Sequence, residues 1–236
     1  MAAAGFEIGV SESTPSYMSS LARTLYADGP VVARKLQHWR PYICPFDRLV
    51  RHVHHGSMVL DVGCGSGLLF ALMAGLGLEF EGIGLDASPR PIELAKRMAT
   101  RASEKGLRAK LFFQLLSEGS WPTGTFDTVF LVDVLHHIPA TDQRSFFDQV
   151  LSKVRPGGTF VYKDMCLHPW WKAQANTFHD LIIAGELINY VPVEAVEEWA
   201  TTRGFDVILR EDVGRFWYGH ELRVLKRADH WQEGAA

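Results

Sequence analysis

The sequence predicts an α/β fold, a mainly parallel sheet with helices on both faces, and three observations predict it. From residue 57 onward short β-rich runs alternate with helical ones at the spacing of crossover units. One apolar run passes directly into three alternate glycines, Gly63, Gly65 and Gly67, and then into a helix. The chain closes on two strand-like segments joined too tightly for a parallel return, which needs a crossover of about a dozen residues. That last pair must be antiparallel.

Residues 1–56 read as an N-terminal helical cap. Apolar-periodic stretches at 16–26, 30–39 and 46–54 are separated by Asp28-Gly29-Pro30 and by Pro41 and Pro45. A larger domain follows at 57–228. Its strands are expected at Met58–Val62, Phe80–Asp86, Ala109–Phe113, Thr128–Val132 and Thr159–Lys163, with helices over 68–76, 89–105 and 141–153. Two more helices, 170–187 and 193–203, come next, the second stopped by Gly204 in the C′ position. Val207–Arg210 and Phe216–Leu225 are the closing strands, with Asp212-Val213-Gly214 as their turn, and 229–236 is expected to be a flexible tail.

Composition narrows the function. Hydrophobic residues make up 47% of the 236 residues and charged residues 22%, so the chain has the apolar content to bury a core. With 24 Lys+Arg against 27 Asp+Glu the formal net charge is −3, which offers no uniformly basic face for nucleic acid. Cys44, Cys64 and Cys166 lie far apart in unrelated contexts, encoding neither a disulfide framework nor a zinc knuckle. No window approaches the ~18 apolar residues of a membrane span, and Met1–Val10 lacks the basic-then-apolar pattern of a leader. A cytoplasmic protein without membrane insertion or a nucleic-acid partner is expected.

The glycine loop is the strongest chemical signal. In Val59-Leu60-Asp61-Val62-Gly63-Cys64-Gly65-Ser66-Gly67 the glycines let the backbone turn sharply and let a ligand reach the end of the first strand without a Cβ in the way. A dinucleotide fingerprint needs G-x-G-x-x-G, and Leu68 stands where its last glycine belongs. The competing reading is an ordinary strand-to-helix turn, disfavoured by two acids: Asp61 before the loop and Asp86 at the tip of the second strand. A carboxylate at that tip can accept hydrogen bonds from both hydroxyls of an adenosine ribose. Ser88, just before Pro89, is the natural cap for the next helix, which leaves Asp86 for a ligand.

Taken together, Val59–Gly67, Gly82–Asp86, Phe126–Pro139 and Val154–Asp164 resemble, in order and spacing, the class I S-adenosylmethionine-dependent methyltransferases, and look most like the branch that contains quinone-biosynthesis enzymes. The resemblance covers about 57–226 and implies a Rossmann-like seven-stranded sheet in the order 3-2-1-4-5-7-6 with strand 7 antiparallel. It also implies S-adenosyl-L-methionine as cofactor and a small-molecule acceptor as partner. Asp61, Gly63, Gly65 and Gly67 would line the methionine half, Asp86 would hold the ribose, and Ala87 would lie beside the adenine. Asp133 and Val134 would border the amino group and sulfonium, where carboxylates favour the ligand's cationic groups. Many relatives carry an acid near 115 that meets the adenine amine; this chain has Leu115-Leu116-Ser117-Glu118, so Ser117 is the substitute named here.

Candidate bases are histidines. His136 and His137 follow the fourth strand; there His137 either takes an acceptor's proton or packs and caps the turn. Cys166–Tyr190 falls where the family places acceptor contacts, and His179 is the polar residue on an otherwise apolar helix within it. Cys166 and His168 alone are too few for a metal site, so no metal is assigned. In the cap, Arg40 is placed to clamp a carboxylate. The rivals to an active methyltransferase are a cofactor-binding module without transfer activity and a nicotinamide-dependent oxidoreductase.

Overall fold

A computed structural model describes residue 9 and residues 14–117, 121–165, 189–215 and 218–230. The expected helix at 170–187 lies outside them. The chain divides into two compact units, residues 1–123 and 124–236.

The first unit opens with three helices, α1 (Pro15–Leu25), α2 (Val31–Ile43) and the short α3 (Phe46–Leu49). Thr14 caps α1 by accepting from the Tyr17 N–H at 3.3 Å, and Pro15 supplies the preset φ of a first helical residue. Helix α2 runs past Pro41, where the sequence had suggested an end. A proline this near the last turn forfeits only the bond to the Gln37 carbonyl, so the helix finishes its final turn.

The strands β1 (Ser57–Val62), β2 (Phe80–Asp86) and β3 (Lys110–Leu115) follow, with α4 (Leu68–Gly75) and α5 (Pro89–Glu104) between them. They pair in parallel, β1 with β2 and β2 with β3. Leu68 to Ala74 of α4 are all buried, as a helix apolar on every side must be, and Phe70 packs against Phe80 and Phe113 with ring centroids 5.4 and 5.9 Å apart.

In the second unit β4 (Phe126–Val132) and β5 (Val154–Met165) are parallel, linked through a 3-10 turn (Leu135–His137) and α6 (Gln143–Ser152). Helix α7 (Val193–Thr201) is followed by Gly204 at φ 77, and β6 (Phe205–Arg215) and β7 (Tyr218–Arg227) close the chain. Phe147, Phe160, Phe205 and Trp199 form the aromatic core, in which Phe147 and Phe160 meet edge to face at 5.5 Å.

The sheet has seven strands in the order β3-β2-β1-β4-β5-β7-β6, and β7 is antiparallel to both neighbours. The closing hairpin is longer than its sequence suggests. Asp212, Val213 and Gly214, expected to turn, instead pair with Glu221, His220 and Gly219. Gly214 lies opposite Gly219, so the glycine read as part of the turn is accommodated within the ladder.

Candidate active site

In residues 1–123 the site is built on the carboxyl ends of three adjacent parallel strands. Leu85 at the end of β2 accepts the N–H groups of Gly63 and Cys64 at 2.7 and 2.8 Å, which anchors the loop to the neighbouring strand. Gly65 at φ 53 and Gly67 at φ 76 adopt the left-handed conformation that favours glycine, for different reasons. A Cβ on Gly67 would come within 2.6 Å of the Phe113 ring, whereas one on Gly65 would project into open space. Gly67 is therefore required by packing, and Gly65 leaves the loop open for a ligand. From the cap, the buried Tyr26 hydroxyl donates to the Ser66 carbonyl at 2.7 Å, tying α1 to the same loop.

Asp86 knits this loop together. One carboxylate oxygen accepts the Gly65 N–H and the other the Ser88 N–H, both at 2.8 Å. Ser88 occupies the N-cap position of α5, yet its side chain makes no cap bond. Each Asp86 oxygen retains a lone pair for a further donor. Ala87 and Ser117 are exposed beside it, and the Leu116 N–H donates to the Asp86 carbonyl, which brings the end of β3 to the end of β2.

Asp61 differs. It is 3% exposed, and its carboxylate accepts no hydrogen bond among the described residues. Burial, and then the neighbouring Asp86 charge, push its pKa up to about 7, while Arg40 pulls the other way. A buried carboxylate in that condition gains from an incoming cation.

In residues 124–236 the structure places Asp133 at the end of β4 with φ 56, unusual for a residue that is not glycine. Its carboxylate pairs with the ammonium of Lys163 at 2.5 Å, and Lys163 is 1% exposed. The sequence argument treated Asp133 as a bare anion and missed this partner. Val134 follows it and leads into the 3-10 turn, where the two histidines part company. His137 is exposed and its N–H donates to the Val134 carbonyl. His136 is buried, its Nδ1–H donating to Asp164 at 2.5 Å, and its ring lies 4.1 Å from that of His137. Asp164 also accepts the Met165 N–H at 2.8 Å. The signal for this pair was in the sequence, since His136 follows β4 and Asp164 ends β5, two neighbouring parallel strands. Cys166, His168 and His179 lie outside the described residues, among which no group of three or more His, Cys, Asp or Glu is placed to hold a metal.

Comparison with known proteins decides the family. A methyltransferase-domain family model matches residues 32–209. The chain belongs to this methyltransferase family. Among relatives of this methyltransferase, the ubiquinone biosynthesis O-methyltransferase of Methylocella silvestris is 34% identical over 146 residues, 56% of this chain and 54% of that protein. The enzyme of the same name from Erwinia tasmaniensis is 31% identical over 170 residues, 64% of this chain and 67% of that protein. The chain spans about half the length of most relatives it matches. Among solved structures, the magnesium protoporphyrin IX methyltransferase of Synechocystis with bound SAH superposes with a TM-score of 0.64 at 18% identity, covering 89% of this chain and 94% of that one. At that identity the likeness is one of fold.

Proposed function

We propose that this methyltransferase moves a methyl group from S-adenosylmethionine to a hydroxyl of a small-molecule acceptor of quinone-precursor type, acting in the cytoplasm. The observation that carries the reading is Asp61: a buried carboxylate without a hydrogen bond among the described residues, with a raised pKa, beside the open face of Gly65. These residues fit the cofactor. Asp61 would take its ammonium, Gly63 and Gly65 the methionine chain, and Asp86 the ribose through its remaining lone pairs. Gly67 shapes the loop, and Ala87 and Ser117 would flank the adenine. Asp133 and Val134 keep the bordering role that the family resemblance gives them, with Lys163 setting the charge of Asp133. The oxygen acceptor is favoured by the name of the relatives, O-methyltransferases of ubiquinone biosynthesis.

When bound, the cofactor would supply an electrophilic methyl carbon for the acceptor oxygen, with the carbon–sulfur electron pair left on sulfur. The protein orients the two reactants and takes the proton. His137 is the base we propose in the described residues, held against His136, which Asp164 locks through Nδ1. His179 is the alternative base. Incubation of the purified chain with methyl-labelled S-adenosylmethionine and a catechol should give labelled methyl ether. Cofactor binding without transfer to any catechol or phenol would favour a binding module, and binding of NAD but not S-adenosylmethionine would sink the methyltransferase reading.

A further inference from the structure

Helices α1 and α2 enclose a basic cleft in a chain of net charge −3. Its volume is about 180 Å³, and it is lined by Arg23, Tyr26, Arg34, Lys35 and His38. The two helices contribute facing sides: Arg23 and Tyr26 are three apart at the end of α1, and Arg34 and His38 are four apart on α2, so each pair shares a face. Elsewhere arginines stand against carboxylates, Arg155 with Asp127, Arg203 with Asp148 and Arg223 with Glu197. Among the described residues no carboxylate pairs with Arg23, Arg34 or Lys35. Asp28, the nearest acid in sequence, is engaged instead by Arg101 of α5.

Arg23 is aimed by its neighbours. The Ser19 hydroxyl donates to the His38 carbonyl at 2.8 Å and accepts from His38 Nδ1–H at 2.6 Å. His38 Nε2 therefore carries a lone pair, and it accepts from the Arg23 guanidinium at 2.9 Å. The other guanidinium donors are left for an anion. Tyr26 forms a wall of the cleft and not a ligand, because its hydroxyl is committed to the Ser66 carbonyl at 2.7 Å.

We propose that this cleft binds a phosphate group, and that its occupancy couples to the glycine loop through Tyr26. A phosphate monoester carries about −1.5 to −2 charge at pH 7 and three acceptor oxygens, which suits three cations, whereas a carboxylate leaves one cation unmet. The cavity is smaller than the ~300 Å³ at which pockets for drug-sized molecules begin, so it takes the anionic group and not a whole acceptor. An anion bridging Arg23 on α1 to Arg34 and Lys35 on α2 relieves their mutual repulsion and holds the helix pair together. The Tyr26 hydroxyl then stays on Ser66, between Gly65 and Gly67. The coupling rests on the cofactor placement proposed above, whereas the phosphate site does not.

The test is titration calorimetry of the full chain with inorganic phosphate and with glycerol 1-phosphate at constant ionic strength, first without and then with S-adenosylmethionine. Both should bind without the cofactor, and acetate should bind more weakly. Tighter binding of glycerol 1-phosphate assigns the site to a phosphate ester, and tighter binding of inorganic phosphate assigns it to the free ion. Arg34→Gln with Lys35→Gln should lower phosphate affinity by about tenfold or more. Lys105→Gln with Lys110→Gln, exposed cations outside the cleft and the same change in net charge, should leave it unchanged. Phosphate should raise S-adenosylmethionine affinity by about fivefold or more, and the cofactor should raise phosphate affinity by the same factor. Tyr26→Phe should abolish that coupling and retain phosphate binding. Absence of phosphate binding, or equal weakening by both pairs of substitutions, overturns the site. Cofactor affinity that is indifferent to phosphate overturns the coupling, and affinity that falls in competition with phosphate would place the anion in the cofactor site instead. Phosphate binding in a chain that fails to bind S-adenosylmethionine would leave this site standing and remove the proposed function.

Discussion

Residues 1–123 and 124–236 each carry an aspartate at the end of a parallel strand, and the two are kept in opposite electrical states. Asp61 is buried without a hydrogen-bonding partner among the described residues, and burial raises its pKa to about 7. Asp133 is 19% exposed and neutralised by a buried lysine at 2.5 Å. The same residue type at the same kind of position thus does two jobs: Asp61 holds unspent attraction for a cation, whereas Asp133 has already spent most of it on Lys163. Asp133 is a structural charge, on which the proposed border for the cofactor would be built.

The sharpest way to break this comparison is to remove each charge. Asp133→Asn removes the carboxylate that pairs with the buried Lys163 ammonium and should destabilise the protein by up to ~3–5 kcal/mol in a denaturant melt. Asparagine is the informative choice because it tolerates the φ of 56 that alanine would not. Lys163→Met should cost less, since the aspartate left behind is partly exposed and water screens it. Equal costs would mean that the pair is not organised as described.

Asp61→Asn should do the reverse. Above pH 7 the variant should melt higher than the parent, because it no longer carries a carboxylate whose charged form burial and the Asp86 charge disfavour. Its affinity for S-adenosylmethionine should fall by ~1.5–3 kcal/mol by titration calorimetry, the worth of a hydrogen bond to a charged group. Loss of stability with unchanged affinity would make Asp61 a structural residue and remove the main support for the proposed cofactor orientation.

The contrast also explains what was legible in the sequence. The strand order followed from the family resemblance, whereas the glycine loop and the antiparallel end depend on local pattern, and each reads correctly from a short window. Lys163 as the partner of Asp133 did not, because alternation along a strand gives the face a residue takes but not the side chain that meets it from the next strand. His136 and His137 illustrate the same limit. Adjacent and chemically identical in sequence, they diverge only because the turn buries one against Asp164 and exposes the other. Gly214 was misread for the opposite reason: a turn-forming residue pairs with Gly219 inside the ladder, one pair before its hairpin end.

Asp86 sharpens the comparison within the first unit. Asp86→Ala should weaken S-adenosylmethionine binding by ~1–3 kcal/mol, and it should also lower the melting temperature, because the Gly65 and Ser88 N–H groups lose their acceptor. Asp61→Asn and Asp86→Ala should therefore move affinity together and stability apart. If Asp86→Ala leaves affinity intact and affects stability alone, its carboxylate serves the loop and not the ribose.

The smallest expected effect concerns protons, and it extends the comparison to Glu221 in the second unit. Glu221 is raised to about 7, first by burial and then by Asp212, Glu194 and Asp164, with Arg223 opposing. For both Asp61 and Glu221 the folded pKa lies above the ordinary carboxylate value. Their contributions to stability are therefore fully present below about pH 4, and are lost as pH rises to about 7. Only Asp61 should respond to the cofactor: a cationic ligand lowers its pKa, so binding near neutrality should release up to about one proton. Calorimetry of S-adenosylmethionine binding in buffers of different ionisation enthalpy reads that release directly. It should vanish in Asp61→Asn and persist in Glu221→Gln. Release that persists in Asp61→Asn and disappears in Glu221→Gln would reverse the assignment, giving the cofactor-linked proton to the second unit and leaving Asp61 as a buried acid with no ligand to meet.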